Sequence, residues 1–549
     1  MQPLDAELGY YFTPGWNSAW GAFLLNEYGF EVNEDILGRA HLDVRSERGI
    51  AGGVEFSSRK WKGNEAIGRL NLYYARDNNP QIRFNGEERL AGTPENRYRI
   101  NLQHRVFFPG SEDETFYVDF DINKLSDRFF YEDFAPSEFR IDPKPDNIVN
   151  LVKRFPQAEV SLLWRGQLND FFQTDTRSPE LSIDVIRTPL GETGFFYDGF
   201  TSYGILGEEL DEDEVLAGIV EPSGYNRFQT YHEVLFPAQV GGFLNVVPRA
   251  GFGYSNYSDF DISGLDSFDR TTFTAGLDLS FKLSKRSPNV YNRRLGLDGL
   301  LHVVQPYLNY SYLNTDEING RFTPIDRLTP TTRLRPIDLP LFNGIDDVRD
   351  WHIVRAGVSN RWYTRRDGVS YEWLSINNYI DGYIKDPELN RDFSNLFTEI
   401  DWRPVPWLTA STRAQFPILD DQVNFSEIQT YLTVLPTDWF SFSFGHYFLN
   451  DHPFFADTDL YTLNTYTRIN DNWGFSTAHR FEADDGTLEY QQYSVHRDLA
   501  SWTASVGAII RDNRDGQNEY GVLLSLTLKA FPRVRIPVDF QPGGLGAEN

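Results

Sequence analysis

The sequence predicts an all-β protein, a closed antiparallel transmembrane β-barrel of about 26 strands in which residues 1–549 form one domain. Three observations support this fold class. Apolar and polar residues alternate along the whole chain, and no Ser/Gly tract, Pro-rich spacer or long charge block divides it. Aromatic residues make up 15% of the chain. Tyr and Trp suit the boundary between a bilayer and water because their rings are apolar and their tips polar.

The alternation is clearest in FYVDFDIN, residues 116–123, which predicts a strand with two unlike faces. Similar alternation is found in 97–106, 439–448 and 520–529, and turn-forming sequences such as LSKRSPN (283–289) separate these stretches. Helical periodicity is weak, so no helix longer than a turn or two is expected. On the strand at 116–123, one face carries Phe116, Val118, Phe120 and Ile122, and the other carries Tyr117, Asp119, Asp121 and Asn123.

Alternation alone is also typical of a soluble β-sandwich with one wet face. A membrane barrel is favoured because the apolar rows are rich in rings and cover about 9–11 positions, the length that a tilted membrane strand requires. The pattern also continues far beyond the roughly 100 residues at which a sandwich closes. Dividing the chain by about 21 residues per strand and turn gives the predicted strand number. A soluble all-β carbohydrate-binding or structural protein is the alternative from another class.

Composition excludes several function classes. The formal net charge is −28 with a pI near 4.7, which argues against a nucleic-acid partner, because phosphate binding requires Lys and Arg. The chain has no Cys, so disulfides and thiolate chemistry are excluded. A run of about 18 apolar residues, as a membrane-spanning helix needs, does not occur. No signal peptide precedes Leu4, so the sequence is expected to lack its natural start.

The polar faces of two neighbouring strands predict a water-filled lumen. Opposite charges that face each other across such strands are worth up to about 1 kcal/mol per pair. A wide barrel with this lining holds polar cargo or a plug. The predicted lumen-lining residues are Arg97, Arg99, Asn101, Gln103 and Arg105 on one strand and Asp119 and Asp121 on the next.

No pattern in the sequence supports enzymatic chemistry, so no catalytic residue, cofactor or metal site is predicted. HExxH, CxxC and GxSxG are all absent, and a His near an acidic residue is usually a hydrogen-bonding group. The acidic run EELDEDE (208–214) lacks the glycine and spacing of a calcium loop and is interpreted as a solvated extracellular loop. The alternative is that divalent cations bridge such acidic loops to lipid phosphates. The His–Asp combinations considered are His479 with Asp484 and Asp485, and His452 with Asp451.

Several segments resemble, in the same order, the barrel of the lipopolysaccharide-assembly outer-membrane family LptD. The longest is RYRINLQHRVFFPGSEDETFYVDFDINKLSDRFFYEDF (97–134), whose final aromatic-acidic turn matches a turn of that family. The others are 42–59, 177–204 and 294–313. The chain departs from the family in lacking a counterpart of its N-terminal jelly-roll domain and in having no cysteines. The family-motif turn comprises Ser126, Asp127, Tyr131, Asp133 and Phe134.

The resemblance implies lipopolysaccharide transport and insertion into the outer leaflet of the Gram-negative outer membrane, through the lumen and a lateral seam between the first and last strands. It implies as partners lipopolysaccharide, an LptE-like plug lipoprotein, the periplasmic Lpt bridge through the missing N-terminal domain, and membrane lipids. The seam residues would be Pro3 and Pro14, because proline has no N–H for the strand ladder. An equally good interpretation is that Pro14 only begins the turn TPGWN. The alternative function is a large porin or plugged nutrient-uptake receptor.

Overall fold

The structure is a computed structural model that describes residues 9–61, 64–82, 89, 92–108, 115–211, 223–261, 264–318, 320–342, 344–419, 425–437, 439–500, 502–512 and 518–528. Most of the described chain forms β-strands, as the alternation predicts. Within these ranges, no helix is long and apolar enough to cross a bilayer.

The strands follow one another as up-and-down neighbours in one sheet. They are β1 (Gly9–Asn17), β2 (Gly21–Asn33), β3 (Ile36–Arg45), β4 (Gly49–Trp61), β5 (Asn64–Arg76), β6 (Asn96–Phe107), β7 (Phe116–Leu125), β8 (Ile148–Arg154), β9 (Ala158–Arg165), β10 (Thr174–Pro189), β11 (Phe196–Glu209), β12 (Ser223–Leu235), β13 (Ala238–Val240), β14 (Leu244–Ser258), β15 (Phe268–Ser280), β16 (Leu283–Asn292), β17 (Leu297–Thr315), β18 (Trp351–Arg366), β19 (Val369–Lys385), β20 (Leu396–Val405), β21 (Leu408–Phe416), β22 (Ser426–Thr437), β23 (Phe440–Asn450), β24 (Thr458–Asn470), β25 (Trp473–Glu482), β26 (Thr487–Asp498), β27 (Trp502–Arg511) and β28 (Glu519–Leu528). The helices are α1 (Phe130–Phe134) and α2 (Pro136–Ile141), and short 3-10 turns lie at Arg293–Leu295, Leu339–Leu341 and Ile345–Asp347.

The sheet closes on itself, because β1 pairs with both β2 and β28. β12 and β13 both pair with β14, and β15 and β16 both pair with β17, so each couple is one strand with an interruption. The 28 segments therefore form a closed antiparallel barrel of 26 strands, and the predicted fold class is confirmed. Closure leaves no open sheet edge, whose unpaired backbone groups would cost several kcal/mol each in lipid.

Prolines within the strands lie where the hydrogen-bond ladder is irregular. Pro248 faces the break between β12 and β13, where its carbonyl accepts from the Phe236 amide at 3.0 Å. Pro306 faces the break between β15 and β16, where its carbonyl accepts from the Phe281 amide at 3.4 Å. A missing N–H costs little where the neighbouring strand is already interrupted. Register shifts also coincide with Pro179, Pro288, Pro404 and Pro436.

The outer surface of the barrel carries the features of a membrane protein. On β12, the outward residues Phe228 and Val234 are more than one third exposed, whereas their neighbours along the strand are buried. Long connections such as 126–147 and 316–350 lie at one end of the barrel, which is therefore the outer mouth. At the opposite end, beside short turns, four tryptophans are 40–55% exposed, as in an interfacial belt. They are Trp407, Trp439, Trp473 and Trp502. The protein is an outer-membrane β-barrel of the Gram-negative type.

The buried core lies inside the outer half of the barrel, where chain segments fold back against the wall. Two local predictions change as a result. The segment SDRFFYEDF (126–134), predicted as a turn, contains the whole of α1, and LSKRSPN (283–289), also predicted as a turn, belongs to β16.

Candidate functional site

Two segments of the outer mouth fold inward and together form the candidate functional site. The first, the mouth loop, is the connection 316–350 between β17 and β18. The second, the helical segment, is 126–142 and contains α1 and α2. Both contribute buried apolar side chains that pack on inward-facing residues of the strands. Loops longer than about 12–15 residues without much regular structure are usually functional or disordered, and the mouth loop is ordered by packing.

The mouth loop packs against the barrel wall through aromatic contacts. The ring of Phe322 lies 4.9 Å from that of Tyr225 on β12 and 5.1 Å from that of Tyr257 on β14, measured between centroids. Ile325 is buried in the same cluster. Farther along the loop, Phe342 packs against Trp351 at 5.3 Å. Burying an aromatic or branched side chain of this size is worth about 1.5–3 kcal/mol.

A completely buried carboxylate, that of Asp346, is a central contact between the mouth loop and the wall. Its side chain is completely buried and accepts hydrogen bonds from the Tyr225 hydroxyl at 2.5 Å, the Tyr257 hydroxyl at 2.9 Å and Arg227 Nη1 at 2.8 Å. The Arg227 side chain is only 1% exposed, so both charges of the pair are removed from water. Arg227 also pairs with Asp326 of the mouth loop at 3.0 Å and with Glu180 of β10 at 3.2 Å, so this buried guanidinium joins two carboxylates of the loop to one of the wall.

Further donors on the wall bind backbone carbonyls of the mouth loop, so the loop is anchored along its length. The donors come from β15, β18 and β21, beyond the β12 and β14 contacts already described. They are Arg270 to the Ile345 carbonyl at 3.1 Å, Arg355 to the Arg335 carbonyl at 2.9 Å, and Gln415 to the Thr332 carbonyl at 2.8 Å. The loop therefore extends across the inner face from β12 to β21.

The helical segment is held by a second buried carboxylate, Asp133. Its fully buried side chain accepts from Arg48 at 2.9 Å, from Arg89 at 2.8 and 3.0 Å, and from Arg97 at 2.5 Å. The Asp133 backbone carbonyl also accepts from the Trp20 indole at 2.7 Å. Three strand-connecting regions and the wall thus converge on one residue of α1.

The acidic run 208–211 links the two inward segments. Glu208 accepts from Arg327 of the mouth loop at 2.8 Å, and Asp211 accepts from Arg128 of the helical segment at 2.7 Å. Glu208 and Asp211 are therefore paired rather than solvated, contrary to the sequence interpretation, whereas Glu209 is exposed. Residues 212–214 of the run lie outside the described residues.

The predicted lumen-lining residues do not behave as one set. Arg97 is fully buried and pairs with Asp127 at 2.7 Å and with Asp133, rather than across the hairpin with Asp119 or Asp121. The others lie farther along the strands, and Arg99 still contacts the helical segment, with its guanidinium carbon 5.6 Å from the centroid of the Tyr131 ring. Their contacts are Arg105 to Asp119 at 2.6 Å, Gln103 to Asp121 at 3.3 Å, Asn101 to Asn123, and Arg99 to Glu138 at 3.4 Å.

The family-motif turn residues lie in the helical segment or immediately before it. The Ser126 hydroxyl donates a hydrogen bond to the Asp127 carboxylate at 2.6 Å, and the same carboxylate forms an ion pair with Arg97. Tyr131 and Phe134 are buried in the core cluster around α1. These side chains explain the unusual aromatic-acidic composition, because the carboxylates neutralise wall arginines while the rings fill the space beside them.

The junction between β1 and β28 has a gap in its pairing. Cα partners occur at Tyr11 and Phe12 and again from Gly15 to Asn17, but not at Thr13 or Pro14, although β1 pairs with β2 at all nine positions. The Ser18 amide donates to the Tyr520 carbonyl at 3.0 Å. In an antiparallel pair, every second residue of a strand directs its amide toward the same neighbouring strand. Position 14 would therefore donate to β28, and proline cannot. Pro3, the other predicted seam residue, lies outside the described residues.

Pro14→Val is expected to restore one hydrogen bond at this junction. A typical hydrogen bond is worth about 0.5–1.5 kcal/mol net, so opening of the junction should become several-fold rarer. Hydrogen–deuterium exchange of peptides from β1 and β28 should slow by about that factor. The control is Pro248→Val, where the facing strand is interrupted and exchange should not slow. Equal exchange in wild type and Pro14→Val would contradict this account of the gap.

Acidification is expected to loosen the base of the mouth loop. Burial alone would raise the pKa of Asp350, but hydrogen bonds from Lys385 at 2.8 Å and from the Thr315 amide at 2.6 Å lower that pKa below its ordinary value. A carboxyl group with a lowered pKa stabilises the folded state above its unfolded pKa, about 3.9, and this contribution is lost as the pH falls through the lowered value. Channel openings in planar bilayers should therefore increase below about pH 4. Asp350→Asn should open more often at pH 7 and respond less to acid, and an unchanged pH profile would refute this role.

The histidines considered for catalysis have structural partners. His479 Nε2 lies 3.1 Å from the Tyr493 hydroxyl, and His452 Nδ1 accepts from the amides of Phe454 and Phe455 at 3.1 and 3.2 Å. Neither hydrogen bond involves Asp451, Asp484 or Asp485. In the part of the chain that the structure describes, no three His, Asp or Glu side chains are grouped so that they would hold a metal ion.

Comparisons with known sequences give no family for this chain. No family model matches it, and no curated protein matches it.

Comparisons with solved structures return large barrels at very low identity. The siderophore receptor PirA from Pseudomonas aeruginosa is 9% identical with a TM-score of 0.33, over 94% of this chain and 79% of that one. The FrpB iron transporter from Neisseria meningitidis (F5-1 variant) is 10% identical with a TM-score of 0.34, over 95% and 82%. The copper transporter OprC is 9% identical with a TM-score of 0.33, over 96% and 83%.

The identification with the LptD family is wrong, since the structures reported above are metal or siderophore receptors and transporters and neither sequence comparison supports that family. The partners that it implied, namely lipopolysaccharide, an LptE-like lipoprotein and the Lpt bridge, are withdrawn with it. The physical reason is that the motifs were short alternating stretches, which any large barrel needs for its two faces. What the chain shares with the compared proteins is a large barrel architecture.

Proposed function

We propose that this protein is a gated uptake channel of the outer membrane, a plugged receptor whose mouth loop and helical segment must move before a solute enters. The observation that carries the proposal is the buried Asp346–Arg227 pair, which ties a long external loop to the inner wall. A buried pair adds little net stability compared with apolar packing, but it holds one arrangement strictly. It suits a latch better than a permanent seal.

The polar character of the other anchors supports the same conclusion. Arg270, Arg355 and Gln415 bind carbonyl oxygens of the mouth loop. Water satisfies the same groups when a loop lifts away, so the net cost of breaking each bond is only about 0.5–1.5 kcal/mol. A solute that binds the lifted arrangement better shifts the population by its difference in affinity. No covalent step is required.

The experiment is a conductance measurement on the purified barrel in planar bilayers. The wild-type protein should conduct poorly, with brief openings, because the mouth loop occupies the entrance. A variant in which a short Gly/Ser linker replaces residues 318–347 should conduct strongly and steadily. Large, steady conductance from the wild type would identify a simple diffusion porin and refute gating.

A further inference from the structure

A cavity of about 230 Å³, measured as the space open to the centre of a water molecule, lies in the outer mouth beneath the mouth loop. One side is formed by loop residues around Arg333 and Arg335. The other sides come from β18 and β19, from the connection that follows β19, and from the segment around Phe454. Opening the mouth loop would change the shape of this cavity, so its occupant and the gate are coupled.

The carboxylates around the cavity are already neutralised by arginines of the protein. The Asp386 side chain is fully buried and pairs with Arg391 at 2.7 Å, and Asp381 is paired with Arg355 at 2.7 Å. The remaining pairs are Glu388 with Arg335, and Asp347 with Arg349 at 3.5 Å. In a chain of net charge −28, the cavity therefore presents no surplus of negative charge.

Arg333 also lines the cavity and is not part of any of these ion pairs. Among the described residues, no carboxylate lies within ion-pair distance of its guanidinium; the residue is exposed, and its backbone amide donates to the Thr331 hydroxyl at 3.1 Å. A guanidinium in this position offers a planar fork that binds a carboxylate through two parallel hydrogen bonds.

Part of the remaining lining is aromatic. Trp351, Tyr383, Phe425 and Phe454 all contribute to the cavity wall. Tyr383 is already covered by Arg391, whose guanidinium carbon lies 4.9 Å from the ring centroid. Flat rings beside a cation are suited to a ligand with an aromatic body and an acidic group, since aromatic pairs add about 0.5–1.5 kcal/mol beyond their buried area.

We propose that this cavity binds a small organic anion with an aromatic body, its acid group on Arg333 and its rings against the aromatic wall. The volume corresponds to roughly 15–20 water positions, which sets the order of the number of non-hydrogen atoms in the ligand. The proposal deepens the proposed function, and rests on it only in treating the bound anion as cargo.

The test is isothermal titration calorimetry on the full chain in nanodiscs, with empty nanodiscs as the blank. The probe is biphenyl-4-carboxylate, compared with the neutral biphenyl-4-carboxamide and the cationic biphenyl-4-methylammonium. The carboxylate should bind most tightly, and Arg333→Gln should weaken it by about tenfold, as expected for one lost charge-assisted contact. Arg321→Gln, on the same loop but outside the cavity lining, should bind like the wild type. Phe454→Ala should weaken the carboxylate and the carboxamide alike.

Equal affinity for the carboxylate and the carboxamide, or no effect of Arg333→Gln, would overturn the assignment. The same preparations are measured in planar bilayers to separate the two proposals. If the wild-type barrel conducts poorly but does not bind biphenyl-4-carboxylate in the calorimeter, only the anion site is refuted. If the wild-type barrel conducts steadily, the gate is refuted. Tight carboxylate binding that Arg333→Gln weakens supports the site in either case.

Discussion

Asp346→Asn is expected to release the mouth loop and convert a poorly conducting barrel into one with frequent, large openings. The asparagine has nearly the same shape, so packing around it is kept while the charge is lost. Arg227 then faces an amide that itself donates hydrogen bonds, with its guanidinium still buried. Loss of the only partner of a buried charge costs about 3–5 kcal/mol; because Arg227 keeps Asp326 and Glu180, the cost here should be smaller, and the closed-to-open ratio should change by about one order of magnitude.

Planar-bilayer recordings of the open probability check this prediction. Limited proteolysis of the intact protein should also cut the variant within 316–350 much faster than the wild type. The matched control is Asp347→Asn, the next residue in the same 3-10 turn, whose ion pair with Arg349 spans 3.5 Å and is solvent-exposed on the arginine side. Exposed pairs are worth about 0–1 kcal/mol, so this control should remain closed. Equal behaviour of the two variants would show that Asp346 is not a latch.

The sequence predicts the barrel well because its signal is repeated on every strand. An alternation such as that of 116–123 has to persist wherever one face meets lipid and the other meets polar groups, so the strand number follows from chain length. Individual turns are harder. The segment LSKRSPN contains Ser, Pro and Asn and is nevertheless strand β16, because Pro288 lies at a register shift where no ladder bond is lost.

The site was much less predictable, because it depends on which segments fold inward. The aspartates of the mouth loop resemble ordinary loop residues in sequence, and only the fold brings Asp346 to Tyr225 and Arg227. Arg97 was expected to line the lumen together with the aspartates of the next strand, yet a segment that enters from the mouth provides its carboxylate partners. The sequence does carry one signal of the mouth loop. The long interval between the strands near 313 and 351, with its many Asp, Arg and Pro residues, is far longer than a hairpin connection needs.

The family assignment failed for a related reason. Matching short strands in order tests little beyond the alternation that membrane barrels share, and length adds only the number of strands. Inward residues such as Asp133 and Asp346 carry more information, but their role appears only once partners far apart in sequence are known. The inward contacts are therefore better evidence for function than the alternating pattern of the barrel strands.

Asp133→Ala is expected to detach the helical segment from the wall and to lower the stability of the barrel as a whole. In the wild type, this carboxylate forms ion pairs with three guanidinium groups, those of Arg48, Arg89 and Arg97. All three arginine side chains are at most 2% exposed. Without it, the three cations lie close together in a buried site, and the alanine leaves a void that water must enter. Breaking a buried pair costs about 3–5 kcal/mol, and Asp133 is the carboxylate that all three cations share, although each keeps a second acidic partner.

Heat-modifiable migration on gels and tryptic cleavage within 126–142 measure this effect. The variant should lose its compact form at a clearly lower temperature and be cut in the helical segment while the strands stay intact. Glu138→Gln is the matched control on α2, because the Glu138 side chain is 43% exposed and lies 3.4 Å from Arg99. An exposed pair of this kind contributes about 0–1 kcal/mol, so the control should unfold like the wild type. If Asp133→Ala matched the control, the arginines would have to be held by Asp77, Asp127 and Glu132 alone, and the helical segment would be anchored by its rings rather than by its charge.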